Sequence, residues 1–492
     1  MEVTGVSGAV RSTIPARLDR LRWSPFHSRL IIALGVAWIL DGLEITIASS
    51  IAGVLTEPDT LGLSSAEAGA VASVYLAGQV VGALFFGRLS DRWGRRKLFM
   101  ITLGVYLVGS GMSALTFGTG VGWVIFLYAT RFVAGMGIGG EYAAINSAID
   151  EMIPAKYRGR VDIAINGTYW AGAVIGTVAS LFLLNVLNPS IGWRLGFLLG
   201  PLLAVVIIVV RRNLPESPRW QLMHGQVDAA KDSIDFIESE VRSSGQKLDP
   251  VDESKAITIK PGNDTGYWTL LKVLFVTYPR RAVLGASLMI TQSFLYNAIF
   301  FTYTLVLVKF YDVSATLAPV FLIAFAVGNL AGPLLLGKFF DTIGRKKMIS
   351  GTYIGSGVLL AISGYLFNIG AFNALTQTIA WCIIFFFASA GASAAYLTVS
   401  EIFPVEVRAK AIAVFFAIAQ GAGALGPLFF GGLIGDGSDP FRLFVGYLVA
   451  AGIMVIGGLV EVFLGINAEG RSLEDITEPL NAVDDPVAAR HG

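Results

Sequence analysis

The chain has 492 residues, 54% of them hydrophobic and only 14% charged, with a mean hydropathy of +0.67. Soluble domains carry about 25% charged residues, so a set of soluble domains is excluded. A net charge of +1 gives no reason to expect a nucleic-acid or polyanionic partner.

A helix needs about 20 mostly apolar residues to cross a bilayer. Twelve stretches qualify, near 30–54, 66–87, 98–117, 121–147, 161–187, 191–211, 280–308, 314–336, 348–368, 373–399, 411–434 and 441–466. Residues 1–29 are basic and polar, with Arg11, Arg17, Arg20, Arg22 and Arg29, and read as a retained N-terminal arm. The 57 glycines suit helices that pack closely in lipid. The longest polar interruption, 212–279, contains an amphipathic pattern near 227–242 and reads as a central loop. The tail 467–492 is acidic, and part of it is expected to be disordered. The expected domains are therefore the arm, a half over 30–211, the central loop, a half over 280–466, and the tail.

Basic residues cluster in alternate loops. The 2–3 loop has Arg88, Arg92, Arg95, Arg96 and Lys97, and the 8–9 loop has Lys338, Arg345, Lys346 and Lys347. The 4–5 and 10–11 loops carry Lys156, Arg158 and Arg160, and Arg408 and Lys410. By the positive-inside rule these loops, and with an even span count both termini, face the cytoplasm. A multi-pass protein of the plasma (inner) membrane follows.

Two motifs repeat at one offset. Gly87, Asp91, Gly94 and Arg95 recur as Gly337, Asp341, Gly344 and Arg345, and Glu151, Pro154 and Arg158 recur as Glu401, Pro404 and Arg408; every pair is 250 residues apart. The reading is two six-span halves in parallel topology, the plan of many secondary transporters.

On these residues the chain resembles the major facilitator superfamily. It is further similar to the sugar-porter and metabolite–proton symporter branch through Pro215-Glu216-Ser217-Pro218-Arg219-Trp220, Arg131-Phe132 with Gly135, Ser400-Glu401-Ile402-Phe403-Pro404, and Glu469-Gly470-Arg471-Ser472. It departs at Thr342, where a basic residue is usual. It departs again in the seventh stretch, which keeps Gln292 and Asn297 but has Phe300 and Phe301 for a tyrosine pair. The resemblance implies an all-α membrane protein of twelve helices in two pseudo-symmetric halves. It implies a secondary transporter working by alternating access.

In such a carrier the loop motifs act as latches. Asp91 and Asp341 can accept bonds from basic residues or a helix N-terminus. Gly94 and Gly344 allow tight turns. Glu151 with Arg158, and Glu401 with Arg408, can pair between helix ends. The expected gating set is Gly87, Asp91, Gly94, Arg95, Glu151, Arg158, Asp341, Gly344, Arg345, Glu401 and Arg408.

Charges inside spans are costly, so each is a functional candidate. Asp41, Glu44, Arg131 and Glu141 stand out. Asp41 and Arg131 each lie about 15 Å into their spans at 1.5 Å rise per residue. Glu44 is one turn beyond Asp41 on the same side. Either acid can pair with Arg131, and the resemblance implies that one does, as the coupling proton site. Glu141 is too far along the helix to reach Arg131; it follows a glycine-rich run with no lysine after it, so the run is not a phosphate loop.

Midplane polar and aromatic residues are the expected substrate contacts: Gln79, Asn166, Trp170, Gln292, Tyr296, Asn297, Tyr396 and Gln420, with Tyr75, Tyr169 and Asn329 nearby. The expected function is proton-coupled symport of a small polar organic metabolite (sugar, polyol or organic acid) by a monomer in the lipid bilayer. Alternatives are an uncoupled uniporter and a nutrient sensor on the same fold. No nucleophile–base pair, metal cluster or cofactor loop is visible in the sequence, so neither an enzyme nor a cofactor is expected.

Overall fold

The computed structural model describes residues 10–51, 55, 60–63, 65–187, 189–211, 215–259, 266–313, 318–404, 407–435, 437–477 and 480. Within these ranges a few helical side chains, including those of Asp91 and Phe301, lie outside the description.

Helices fall on all twelve expected stretches. A strand β1 (Val10–Ser12) and a short helix α1 (Ile14–Asp19) precede the first of them. The N-terminal half follows as α2 (Pro25–Ile51), α3 (Ser65–Trp93), α4 (Arg95–Ser113), α5 (Val121–Met152), α6 (Ala155–Gly167), α7 (Tyr169–Val186) and α8 (Pro189–Arg211). The central segment holds α9 (Pro218–Met223), α10 (Val227–Ser243), strand β2 (Ile257–Ile259) and α11 (Tyr267–Lys272), which runs on as a π turn. The C-terminal half is α12 (Pro279–Tyr311), α13 (Ala318–Thr342), α14 (Arg345–Asn368), α15 (Ala374–Glu401), α16 (Arg408–Gly423), α17 (Leu425–Ile434) and α18 (Pro440–Leu464); α19 (Leu473–Ile476) closes the described chain.

Nine helical stretches among the described residues are long and apolar enough to cross a membrane. They match the expected first, fourth to tenth, and twelfth spans. The second and eleventh hold shorter apolar helices, Val74–Ser90 and Lys410–Gly423. The third, α4, opens on Arg95, Arg96 and Lys97, which dilute its apolar character.

The halves pack alike. In the first, α2 lies on α7, α3 on α5 and α4 on α8; in the second, α12 lies on α16, α13 on α15 and α14 on α18. The halves meet where α3 packs on α16 and where α6 and α7 pack on α13. Glycines set the closeness of these contacts. A Cβ on Gly135 or Gly139 of α5 would run into the backbone of Tyr75 or Gln79 on α3, so the glycine run holds those two side chains at a fixed depth. One residue interrupts a helix in each half, Thr168 between α6 and α7 and Ala424 between α16 and α17.

The described part of the N-terminal arm, from Val10 on, is docked on the central segment. Val10–Ser12 pairs antiparallel with Ile257–Ile259 of the central segment. Arg17 bonds Asp235 at 2.6 Å and Glu238 at 2.9 Å, and Arg20 bonds Glu238 at 2.6 Å. The expected amphipathic helix is α10, which buries Ala230, Ile234, Ile237 and Val241. The acidic tail beyond 480 lies outside the described residues.

Candidate functional site

Five helices of the first half, α2, α3, α4, α5 and α8, bring the intramembrane acids into two sites. Arg131 of α5 pairs with Glu44, and both side chains are fully buried. Glu44 also accepts hydroxyls from Tyr106 at 2.7 Å and Ser110 at 2.9 Å, both on α4. The guanidinium lies over the Tyr75 and Phe197 rings, 4.5 and 4.6 Å from their centroids. Gly200 of α8 closes the site: a Cβ there would strike the Tyr106 hydroxyl.

Asp41 faces elsewhere, although only three residues separate it from Glu44. Its carboxylate accepts from Tyr142, from Tyr75 at 3.1 Å and from Gln79 Nε2 at 2.9 Å. All three donors are neutral. Glu141 is buried and lines a small recess with Ala37, Trp38, Asp41, Ile138, Tyr142 and Ile145. It thus neighbours the Asp41 site.

Asp41 lines a central cavity between the halves. Asn166, Trp170, Gln292, Tyr296, Asn297, Tyr396 and Gln420, all expected substrate contacts, line it too. Gln79 stands behind Asp41 and accepts from Gln420 Nε2 at 2.8 Å, a bond that crosses between the halves. Ser293 donates to Gln420 Oε1 at 3.4 Å, and Tyr296 donates to Asn329 at 2.9 Å.

The aromatic wall was less legible in the sequence. Trp38, Tyr142, Tyr169, Phe300 and Phe416 also line the cavity. Tyr142 stacks on Phe416 at 4.5 Å and meets Trp38 edge-on at 4.4 Å. Trp38 and Tyr142 sit beside the singled-out Asp41 and Glu141, one turn away and next in sequence, and that adjacency was the available signal. Of the described lining residues none is Arg, Lys or His. A fourth intramembrane acid, Glu461 of α18, lies near the end of its stretch, where a charge is not conspicuous in the sequence; it is buried, with neither oxygen hydrogen-bonded among the described residues.

The basic end of the bundle is tied across the halves. Arg158 of α6 reaches Glu401 of α15 at 3.3 Å, and Arg345 also bonds Glu401. Asp341 accepts the Arg160 backbone N–H at 2.8 Å and lies 3.5 Å from Arg345. A Cβ on Gly337 would lie 3.6 Å from the Arg160 carbonyl oxygen, an ordinary contact. Within the first half Glu151 holds Arg95 at 2.8 Å. Glu151 is thus seen with Arg95, and Glu401 with Arg158 and Arg345, contacts that do not test the pairs expected within each loop, Glu151 with Arg158 and Glu401 with Arg408; Arg408 bonds the Phe403 carbonyl at 3.2 Å. Gly87 is buried in α3, and the Asp91 side chain is outside the described set.

Gly94 and Gly344 adopt φ of 88° and 114° as N-caps of α4 and α14, conformations that favour glycine. Each faces a carboxylate from a distant motif. Glu216 accepts the Arg95 and Arg96 N–H groups at 3.0 and 3.2 Å, and Glu469 lies against Gly344. Burial pushes the Glu216 carboxyl above its usual range, against the opposing pull of the Ser217 N–H and Arg95. Asp19 of α1 joins this end too, 3.1 Å from Arg219 and 3.8 Å from Arg158.

The family model described as "Sugar (and other) transporter" matches residues 39–480. The niacin transporter NiaP of Acinetobacter baylyi is 27% identical over 465 residues, 94% of this chain and 99% of that one. A probable plastidic glucose transporter of Arabidopsis thaliana is 26% identical over 425 residues, 85% of this chain and 77% of its own. Among solved structures, the proton:xylose symporter XylE bound to 6-bromo-6-deoxy-D-glucose matches with a TM-score of 0.73 at 20% identity, over 91% of this chain and 98% of that one. At that identity the likeness is one of fold. The two halves, the repeated loop motifs and the match along nearly the whole chain place this protein in the sugar (and other) transporter family, with the fold of a major facilitator protein.

Proposed function

We propose that the chain is a proton-coupled symporter for a small polar ring-bearing metabolite, with Asp41 as the proton site and an organic acid favoured over a sugar or polyol. The observation that carries this reading is the placement of Asp41 in the central cavity, held by neutral donors, while Glu44 occupies Arg131. A carboxyl held by neutral donors exchanges a proton without separating an ion pair. With no cation among the described lining residues, an anionic substrate meets only the charge of Asp41. Ionised Asp41 repels it and protonated Asp41 does not, so anion and proton enter together. Aromatic faces hold the ring, and Asn166, Gln292, Asn297 and Gln420 bond its polar groups. The likeness to a niacin transporter makes nicotinate the first probe.

In this reading the Glu44–Arg131 pair stiffens the first half, and Glu141 tunes the site beside Asp41. The cross-half bonds at the basic end latch the cytoplasmic side shut. The concentration of Arg and Lys at that end supports cytoplasmic termini in a plasma membrane. The carrier acts as a monomer, since the cavity is built within one chain.

The test is uptake into proteoliposomes of nicotinate, nicotinamide, glucose, xylose and sorbitol, with and without an imposed pH gradient. Gradient-driven accumulation of nicotinate above the neutral solutes is expected. Sugar uptake indifferent to the gradient would overturn the reading in favour of a facilitative uniporter.

A further inference from the structure

Hydrogen-bond donors line up in one direction from the second half to Asp41. Asn297 donates to Ser293 Oγ at 3.2 Å, Ser293 to Gln420 Oε1 at 3.4 Å, Gln420 to Gln79 Oε1 at 2.8 Å, and Gln79 to Asp41 Oδ1 at 2.9 Å. The direction follows from chemistry. A carboxylate only accepts, so Gln79 turns its NH₂ to Asp41 and has its carbonyl oxygen left for Gln420. The chain runs through α12, α16, α3 and α2, and its Gln420–Gln79 link lies where α3 packs on α16, one of the two seams between the halves.

The seam is asymmetric. At the repeat offset of 250, Asn329 is the counterpart of Gln79, and Trp170 that of Gln420. Asn329 takes the Tyr296 hydroxyl from its own half. Among the described residues, the first-half copy alone joins a carboxylate to an amide of the opposite half.

We propose that Gln79 and Gln420 are positioning residues that carry the charge state of Asp41 across the seam between the halves. This rests on the reading of Asp41 as the proton site. An ionised acceptor makes a stronger bond than a neutral one, and it polarises every donor behind it. Ionised Asp41 therefore tightens the Gln420–Gln79 link and draws α16 onto α3. When Asp41 takes a proton from water entering the cavity, that anchoring charge is gone whichever oxygen holds the proton. The cross-half link then falls to an ordinary amide–amide bond, and the halves are freer to rock. The proton stays on Asp41 until water removes it; none passes along the amides.

The other titratable groups near Asp41 are Tyr75 on α3, Tyr142 and Glu141 on α5, Tyr169 on α7, Tyr396 on α15, and Glu44 on its own helix. The tyrosines and Glu141 reach Asp41 without spanning the seam through a paired amide, so the amide pair is separable by mutation.

The experiment needs no substrate. In a Cys382→Ser background, spin labels go on Lys156 and Ile343, exposed residues at the basic ends of opposite halves. Distances are measured in proteoliposomes at pH 5.5 and pH 8.5, on either side of neutrality. In the parent the ratio of long to short distances should change by about fivefold or more, the low end of typical coupling. Gln79→Met and Gln420→Met, made separately so that either alone decides, should each cut the change to less than about twofold. Asp41→Asn should also abolish it. If Asp41→Asn removes the pH response and the glutamine variants keep it, the amide relay is wrong and the proton site stands. If Asp41→Asn keeps the response, the proton-site reading itself has failed.

Discussion

Arg131 is bound to Glu44 and not to Asp41, so the arginine neutralises one acid of α2 and leaves the other to neutral donors. Both partners are fully buried, so removing one leaves an uncompensated charge in the membrane interior. Such losses cost about 3–5 kcal/mol. Glu44→Gln and Arg131→Met should each lower the thermal unfolding temperature in detergent. The double substitution should recover much of the loss, since it leaves no unpaired charge. A double variant as unstable as the sum of the singles would mean that the residues do not act as a pair.

Asp41→Asn removes a charge held only by neutral donors, and an asparagine can still bond Tyr75, Tyr142 and Gln79. The fold should survive, with unfolding close to that of the parent. Accumulation driven by a pH gradient should fall to the equilibrium level, while exchange of labelled for unlabelled nicotinate continues. Loss of exchange and accumulation together, with normal folding, would instead make Asp41 a substrate contact alone.

The contrast between these two acids shows where sequence reading reaches its limit. The rarity of intramembrane charges makes Asp41, Glu44 and Arg131 conspicuous. Which acid meets the arginine depends on the rotation of α2, and that is set by backbone contacts of Gly42 with Tyr169 and of Gly172 with Ile39. Spacing alone cannot reveal such contacts. The loop motifs behave likewise: an offset of 250 identifies Glu151 and Glu401 as equivalents, but Arg158 crosses to the far half. Polar cavity residues were legible because amides are rare in spans. Trp38, Tyr142 and Phe416 look like any lipid-facing or core aromatic until the helices are assembled. The pairing of Val10–Ser12 with Ile257–Ile259 had no local signal, as three-residue strands carry no usable periodicity.

Glu401 binds two guanidinium groups from opposite halves, Arg158 and Arg345. Glu401→Gln therefore loosens both and should open the basic end. Labels on Lys156 and Ile343 should show longer distances at every pH, and gradient-driven uptake should fall about tenfold, equivalent to about 1.4 kcal/mol. Glu151→Gln is the control: Glu151 holds Arg95 within one half, so it should weaken folding without changing the distance between halves. Equal opening by both variants would mean that the cross-half bonds are not the latch.

The N-terminal clamp titrates in the opposite region from the transport chemistry. Burial works against the ionised Glu238 carboxyl, but the hydrogen bonds from Arg17 and Arg20 outweigh it and hold its pKa below the usual value of 4.5. A carboxyl with a depressed folded pKa adds stability above its unfolded pKa, and that stability is lost as pH falls through the lower folded value. The clamp should thus be intact from neutral pH down to about 4.5, the unfolded-state value for glutamate, and should weaken only below it. Cleavage by an acid-stable protease within residues 10–24 reports this directly. Protection should hold at pH 5 and above and fade at lower pH. Arg17→Ala and Arg20→Ala together should expose the segment already at pH 7. Protection lost between pH 7 and 5 in the parent would show that a group other than Glu238 governs the docking of the N-terminal segment.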